Sequence, residues 1–150
     1  MIKKIGAWIG TIAGVALGGF LYGIEKIFGL SVYTLLMNVD FIPGVRHAMG
    51  HPALEWMLHL SVSLSIGFIF VYIVEKRKAW DSTFRFVLSG VLSAGAALTY
   101  VPLTLLAIQE TPSLRDGKAI SLWLAGHAVF GLVLSGSYDV LKWKDRPAAV

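Results

Sequence analysis

Residues 53–74 read ALEWMLHLSVSLSIGFIFVYIV, and the fold turns on how this run is read. Val and Ile favour strands, but a run of about 20 apolar residues is long enough to cross a bilayer. Lipid offers the backbone no hydrogen-bond partner, so a chain crossing it must satisfy its own amides as a helix. At 1.5 Å of rise per residue, Leu54 to Val74 spans roughly 30 Å, the thickness of a hydrocarbon core. Glu55 and His59 stand four positions apart in this run, so they share one face of the predicted helix.

Three other segments have the same character: Ile5 to Ile24, Phe84 to Ile108 and Ala119 to Leu141. Hydrophobic residues make up 56% of the 150-residue chain and charged residues only 15%, with a mean hydropathy of +0.71. This is membrane composition. The 13 Lys and Arg outnumber the 9 Asp and Glu, yet they sit at the ends of the apolar runs. That placement points to lipid headgroups and excludes a nucleic-acid surface. With no cysteine there is neither a disulfide framework nor a thiolate metal site. The basic start MIKKIGAWIG resembles a signal peptide, but the apolar stretch continues without a small-x-small cleavage site, so it is read as a retained first span. The expected fold is all-α: residues 1–150 as a single domain, four transmembrane helices in a compact bundle.

The connections set the orientation. The first carries LSVYTLLM, too short to span and expected to lie at the interface, followed by the turn-rich NVDFIPG and VRHAMGHP; the second and third are EKRKAWDST and QETPSLRDGK. Counting Lys and Arg places Lys3, Lys4, Lys76, Arg77, Lys78, Arg85, Lys142, Lys144 and Arg146 on one side, and Lys26, Arg46, Arg115 and Lys118 on the other. The positive-inside rule then gives N-in and C-in, a multi-pass protein with both termini cytoplasmic. Trp8, Trp80 and Trp143 fall at the inner interface and Trp56 and Trp123 near the outer one, the pattern of an aromatic belt.

Gly6, Gly10, Gly14 and Gly18 recur every four residues and form one stripe on the first helix, where a second backbone can approach closely. The neighbour is either another helix of this chain or a partner: a second copy or another membrane protein. Ser89, Ser93 and Ala97 on the third helix and Gly131 and Ser135 on the fourth offer compatible small faces.

With this topology the polar residues gather in the outer half, while the inner half carries few ionisable groups beyond its basic flanks. Glu55 and His59 enter from outside on the second helix and His127 on the fourth; Tyr22 and Glu25 end the first helix, and Tyr100 and Thr104 lie late on the third. Pro102 removes a backbone donor, so it is expected to kink the third helix and turn a carbonyl toward a cavity. Ionisable groups inside a membrane mark functional sites by default. The alternative is packing: His59 and His127 donating hydrogen bonds across helices, with Glu55 and Glu25 simply hydrated.

As a site, His59, His127, Glu55, Glu25, Tyr22, Tyr100 and Thr104 form an outward pocket for protons, an ion or a small ligand. His59 and His127 with a carboxylate suit a divalent metal, whereas a haem bridging them has only their equal depth in its favour. Imidazoles titrate near neutrality, so a response to external pH is a further reading. His47 and His51 read as loop residues. No GxSxG, phosphate loop, GxGxxG in strand context or HExxH occurs, which disfavours an enzyme. A metal-dependent membrane enzyme would have to rely on Glu55 and His59 as its acid and base.

Four stretches, GTIAGVALGGFLYGIEK, HLSVSLSIGFIFVYIVEK, FVLSGVLSAGAALTYVPLTLLAIQETP and GHAVFGLVLSGSYDVLK, resemble in order and spacing the helices of the YagU-like family of small bacterial inner-membrane proteins. The resemblance implies a bacterial cytoplasmic membrane, family histidines at His59 and His127, and a role in envelope or acid-stress physiology with no assigned reaction. The first loop is shorter than the family's, and His47 and His51 have no family counterpart.

Overall fold

The computed structural model describes residues 2–44, 51–78 and 81–142. It contains six helices and, among the described residues, no strand: α1 (Ile2–Phe28), α2 (Val32–Met37), α3 (Pro52–Arg77), α4 (Ser82–Ala97), α5 (Tyr100–Leu106) and α6 (Gly117–Leu141). Four spans are long and apolar enough to cross a membrane: Lys3–Phe28, Pro52–Arg77, Ser82–Leu106 and Gly117–Leu141. The protein is therefore a multi-pass membrane protein whose outward faces meet lipid, with Val62, Ile69, Val91, Leu124 and Leu132 all exposed.

Helix ends follow local chemistry. Pro52 opens α3, where its missing N–H costs nothing. The Asp81 carboxylate accepts from the Phe84 N–H at 2.9 Å, and the Asp116 carboxylate accepts from the N–H groups of Lys118 at 3.1 Å and Ala119 at 2.9 Å. Each satisfies donors that a first helical turn leaves unpaired. Lys78 closes α3 in the left-handed conformation at φ 49°.

The third span is broken between α4 and α5. Pro102 cannot donate back along the helix, and around it the Val101 N–H bonds Leu98 O at 3.3 Å instead of the carbonyl of residue 97. The carbonyl released is that of Ala97. It is not left free, as the sequence had suggested, because the Trp123 indole N–H bonds it at 2.9 Å. Trp123 is accordingly 1% exposed. It is a core residue and no part of an aromatic belt. Trp8, 65% exposed, does suit that role; Trp80 and Trp143 lie outside the described residues.

α3 packs along α1, α1 along α6, and α6 along α4, whereas α4 and α3 touch only sparsely. The α1–α3 seam is the glycine stripe. A Cβ on Gly10 would stand 2.7 Å from the Ser63 carbonyl oxygen, on Gly14 2.6 Å from Ser63 Oγ, and on Gly18 2.5 Å from the Trp56 ring. Gly67 returns the fit from α3, with Gly6 O 2.5 Å from its own added Cβ. The stripe is thus covered within the chain by α3. The small faces of α4 and α6 also meet: a Cβ on Gly131 would lie 3.2 Å from the Ser93 Cβ. Beside the stripe α1 buries Ile9, Ala13, Leu17 and Leu21, and a Cβ on Gly126 of α6 would stand 2.8 Å from Leu21 and 3.1 Å from Leu17.

α2, the segment expected at the interface, packs against the end of the bundle. Val32 and Leu35 are fully buried and Met37 nearly so, and α2 rests on the ends of α1, α3 and α5. Glu25 holds it from α1, accepting from the Thr34 N–H at 2.8 Å and hydroxyl at 2.9 Å. Trp56 holds it from α3 through its indole N–H to the Tyr33 hydroxyl at 3.1 Å. Just beyond α2, the Asp40 carboxylate accepts from the N–H groups of Ile108 at 3.0 Å and Gln109 at 2.7 Å.

Candidate functional site

Because α3 and α4 barely touch, a cavity of about 480 Å³ opens between them under the roof formed by α2 and the residues after it. His59 and Glu55 reach it from α3, His127 from α6, Asn38 from the roof and Thr99 from the break between α4 and α5. Leu17, Leu92, Leu103 and Phe130 supply apolar wall.

The two imidazoles are held alike. His59 Nε2 lies 3.0 Å from the Gly14 carbonyl oxygen, and His127 Nδ1 lies 3.0 Å from the Trp123 carbonyl oxygen. A carbonyl only accepts, so each of these nitrogens carries the proton and donates. In the neutral ring the other nitrogen then holds a lone pair. A tryptophan flanks each ring: Trp56 edge-on to His59 at 5.7 Å between centroids, and Trp123 beside His127 at 4.6 Å. Ser93 also donates its hydroxyl to the His127 carbonyl, tying α4 to α6. His127 borders a second, smaller cavity of about 390 Å³ between α4 and α6, lined mainly by small residues.

Of the residues singled out from sequence, His59, His127 and Glu55 line the α3–α4 cavity and the other four do not. Glu25 is engaged by Thr34. Tyr22 stands half exposed, edge-on to Tyr33 with ring centroids 5.2 Å apart. Tyr100 is buried against Trp123 and donates its hydroxyl to the Ser113 carbonyl at 3.1 Å. The Thr104 hydroxyl is buried away from the cavity. His51 caps the start of α3 without a side-chain hydrogen bond, and His47 lies outside the described residues. In the roof, burial raises the Tyr33 hydroxyl above its ordinary value; the Trp56 hydrogen bond opposes this and the Glu55 carboxylate reinforces it.

The donor set does not fit a metal. Among the described residues no three His, Cys, Asp or Glu side chains gather where an ion could bind them together. The carbonyl bonds to both imidazoles are of the kind that orient metal ligands, but a divalent ion needs at least a third protein ligand.

Two features were not foreseen. Asn38 is fully buried in the roof: its Oδ1 accepts from the Asp40 N–H at 3.0 Å, while Nδ2 has no hydrogen-bond partner among the described residues. At the opposite end of the bundle, Arg85 on α4 meets Asp139 on α6 at 2.7 Å, and Glu75 on α3 meets Lys142 at 3.3 Å. The Tyr138 hydroxyl donates to Glu75 at 3.0 Å and its ring lies 5.8 Å from the Arg85 guanidinium, joining the two pairs. This end of the bundle, the one predicted to be cytoplasmic, is therefore richer in buried charge than the sequence suggested. Arg85 reads as a basic flank only until Asp139 is brought across from α6.

No family model, curated protein or solved structure matches the chain. Fold and site together define a class: a multi-pass α-helical membrane protein with a roofed, mostly apolar cavity at one end of its bundle.

Proposed function

We propose that this chain is a protein of a bacterial cytoplasmic membrane, with both termini cytoplasmic, that binds a small amphipathic ligand in the α3–α4 cavity at the outward side. The observation that carries the reading is the convergence of His59, His127 and Glu55, from two separate helices, on one cavity. Its volume falls within the range of small-molecule sites, and apolar walls with a few placed polar groups are their usual chemistry. The resemblance to the YagU-like family supports a setting in envelope or acid-stress physiology.

Native mass spectrometry of the detergent-purified protein tests the reading. The unaltered protein is expected to carry a small-molecule adduct that is lost in His59→Leu with His127→Leu. Identical spectra for the two proteins, both folded by circular dichroism, would sink it. Proton uptake by the same imidazoles is a second reading, favoured by their sharing one cavity. It predicts imidazole carbon resonances that move together between pH 5 and 7, about the range of histidine titration.

A further inference from the structure

The Asn38 amide indicates what the ligand must offer. A buried N–H without an acceptor costs on the order of 1–3 kcal/mol, and Asn38 carries such a group while lining the cavity. Its orientation is fixed, because Oδ1 takes the Asp40 N–H and an exchanged amide would set two donors against each other. The roof therefore presents a donor. The imidazoles present the opposite. With His59 Nε2 given to Gly14 and His127 Nδ1 given to Trp123, their remaining ring nitrogens are acceptors in the neutral form.

A matching head group carries a carbonyl oxygen for Asn38 and an O–H for an imidazole. A carboxylic acid has both. Apart from these groups and Glu55, Ser61, Ser63 and Thr99, the cavity wall is apolar, and its flanks at Val62 and Thr99 are exposed along the loose α3–α4 seam, so an alkyl chain can enter sideways from the bilayer. We infer that the cavity binds a free fatty acid, a single alkyl chain headed by a carboxyl group that Asn38 and the two histidines recognise. This rests on the ligand-binding reading above and names the class of ligand.

Three photoreactive probes test it on the unaltered protein in lipid nanodiscs: a diazirine-bearing hexadecanoic acid, its methyl ester and the corresponding alcohol. The ester keeps the carbonyl and loses the O–H; the alcohol does the reverse. Crosslinks mapped to α3 and α4 by mass spectrometry should be roughly tenfold more frequent for the acid than for either analogue, the worth of about one hydrogen bond. Asn38→Asp keeps the acceptor for Asp40 and replaces the amide donor with a second acceptor. It should abolish the acid's preference and leave alcohol labelling intact, which also shows that the cavity is still formed. Equal labelling by all three probes would overturn the carboxyl assignment and leave the ligand-binding reading standing. An acid preference that survives Asn38→Asp would overturn the role of Asn38. No labelling of α3 and α4 by any probe would overturn both readings.

Discussion

At the scale of single residues, the tightest constraint is the absence of side chains. Gly10 admits α3 so closely that an added Cβ would stand 2.7 Å from the Ser63 carbonyl and 2.9 Å from Leu64 Cα, both backbone atoms that cannot rotate away. Gly10→Ala is expected to destabilise the α1–α3 pair by about 1–3 kcal/mol, the usual cost of overpacking. Gly19 has nothing within 4 Å of the same construction, so Gly19→Ala should change stability by no more than about 0.5 kcal/mol. Unfolding both variants in mixed micelles with increasing dodecyl sulfate measures the difference; equal midpoints would contradict the close approach. The stripe could be seen in the sequence because four-residue spacing fixes one face of any helix. Its neighbour could not, since nothing local in Gly14 specifies Ser63 on another span. Trp123 was misplaced for a related reason. Depth along a helix follows from counting residues, but whether a ring turns to lipid or to Ala97 depends on a break in a different helix.

At the scale of elements, α2 shows what a short apolar segment can do when its polar neighbours have distant targets. Asp40 accepts two backbone N–H groups 68 and 69 positions along the chain, and hydrogen bonds to a charged acceptor contribute roughly 1.5–3 kcal/mol each. Asp40→Ala should therefore loosen the roof without unfolding the four spans. Hydrogen exchange is expected to quicken by about tenfold or more at the Ile108 and Gln109 amides and across α2, with α1 and α6 unchanged. Uniform protection in the variant would show that the roof is held by other means. Tyr33 adds a pH dependence with a definite sign. Its folded value is raised above 10.0, chiefly by burial, so its contribution to the roof is fully present below pH 10 and is lost as pH rises through the folded value. Subtracting the tyrosinate absorbance titration of Tyr33→Phe from that of the unaltered protein should leave a transition above pH 10.0. A difference curve centred at or below that pH would rule out the burial. From sequence this segment read as an interfacial helix, because composition reports that it is apolar and too short to span. It does not report that Glu25, Trp56 and Asp40 fasten it over a cavity.

At the scale of the whole molecule, periodicity and length were enough for the four spans, since each apolar run had only one structure that lipid tolerates. The candidate site was legible only in part. His59, His127 and Glu55 could be placed by depth, whereas Asn38 looked like a turn residue, and the Arg85–Asp139 and Glu75–Lys142 pairs needed spans to be set side by side. Those pairs bear on orientation as well. Of the nine Lys and Arg on the predicted cytoplasmic side, Arg85 and Lys142 are bonded to carboxylates inside the bundle. Discounting both leaves seven against the four of the opposite side, so the bias that sets topology survives. The chain has no cysteine, which makes single introduced thiols unambiguous reporters. Ser82, at the start of α4, and Glu110, in the loop before α6, are both exposed and lie at opposite ends of the bundle. Treated in intact bacterial cells whose outer membrane admits small reagents, Glu110→Cys should react with a membrane-impermeant maleimide, and Ser82→Cys only after the inner membrane is broken. The reverse pattern would turn the molecule over and point the roofed cavity toward the cytoplasm. The ligand would then have to come from the inner leaflet, and the outward-facing reading of the site would fall with the orientation.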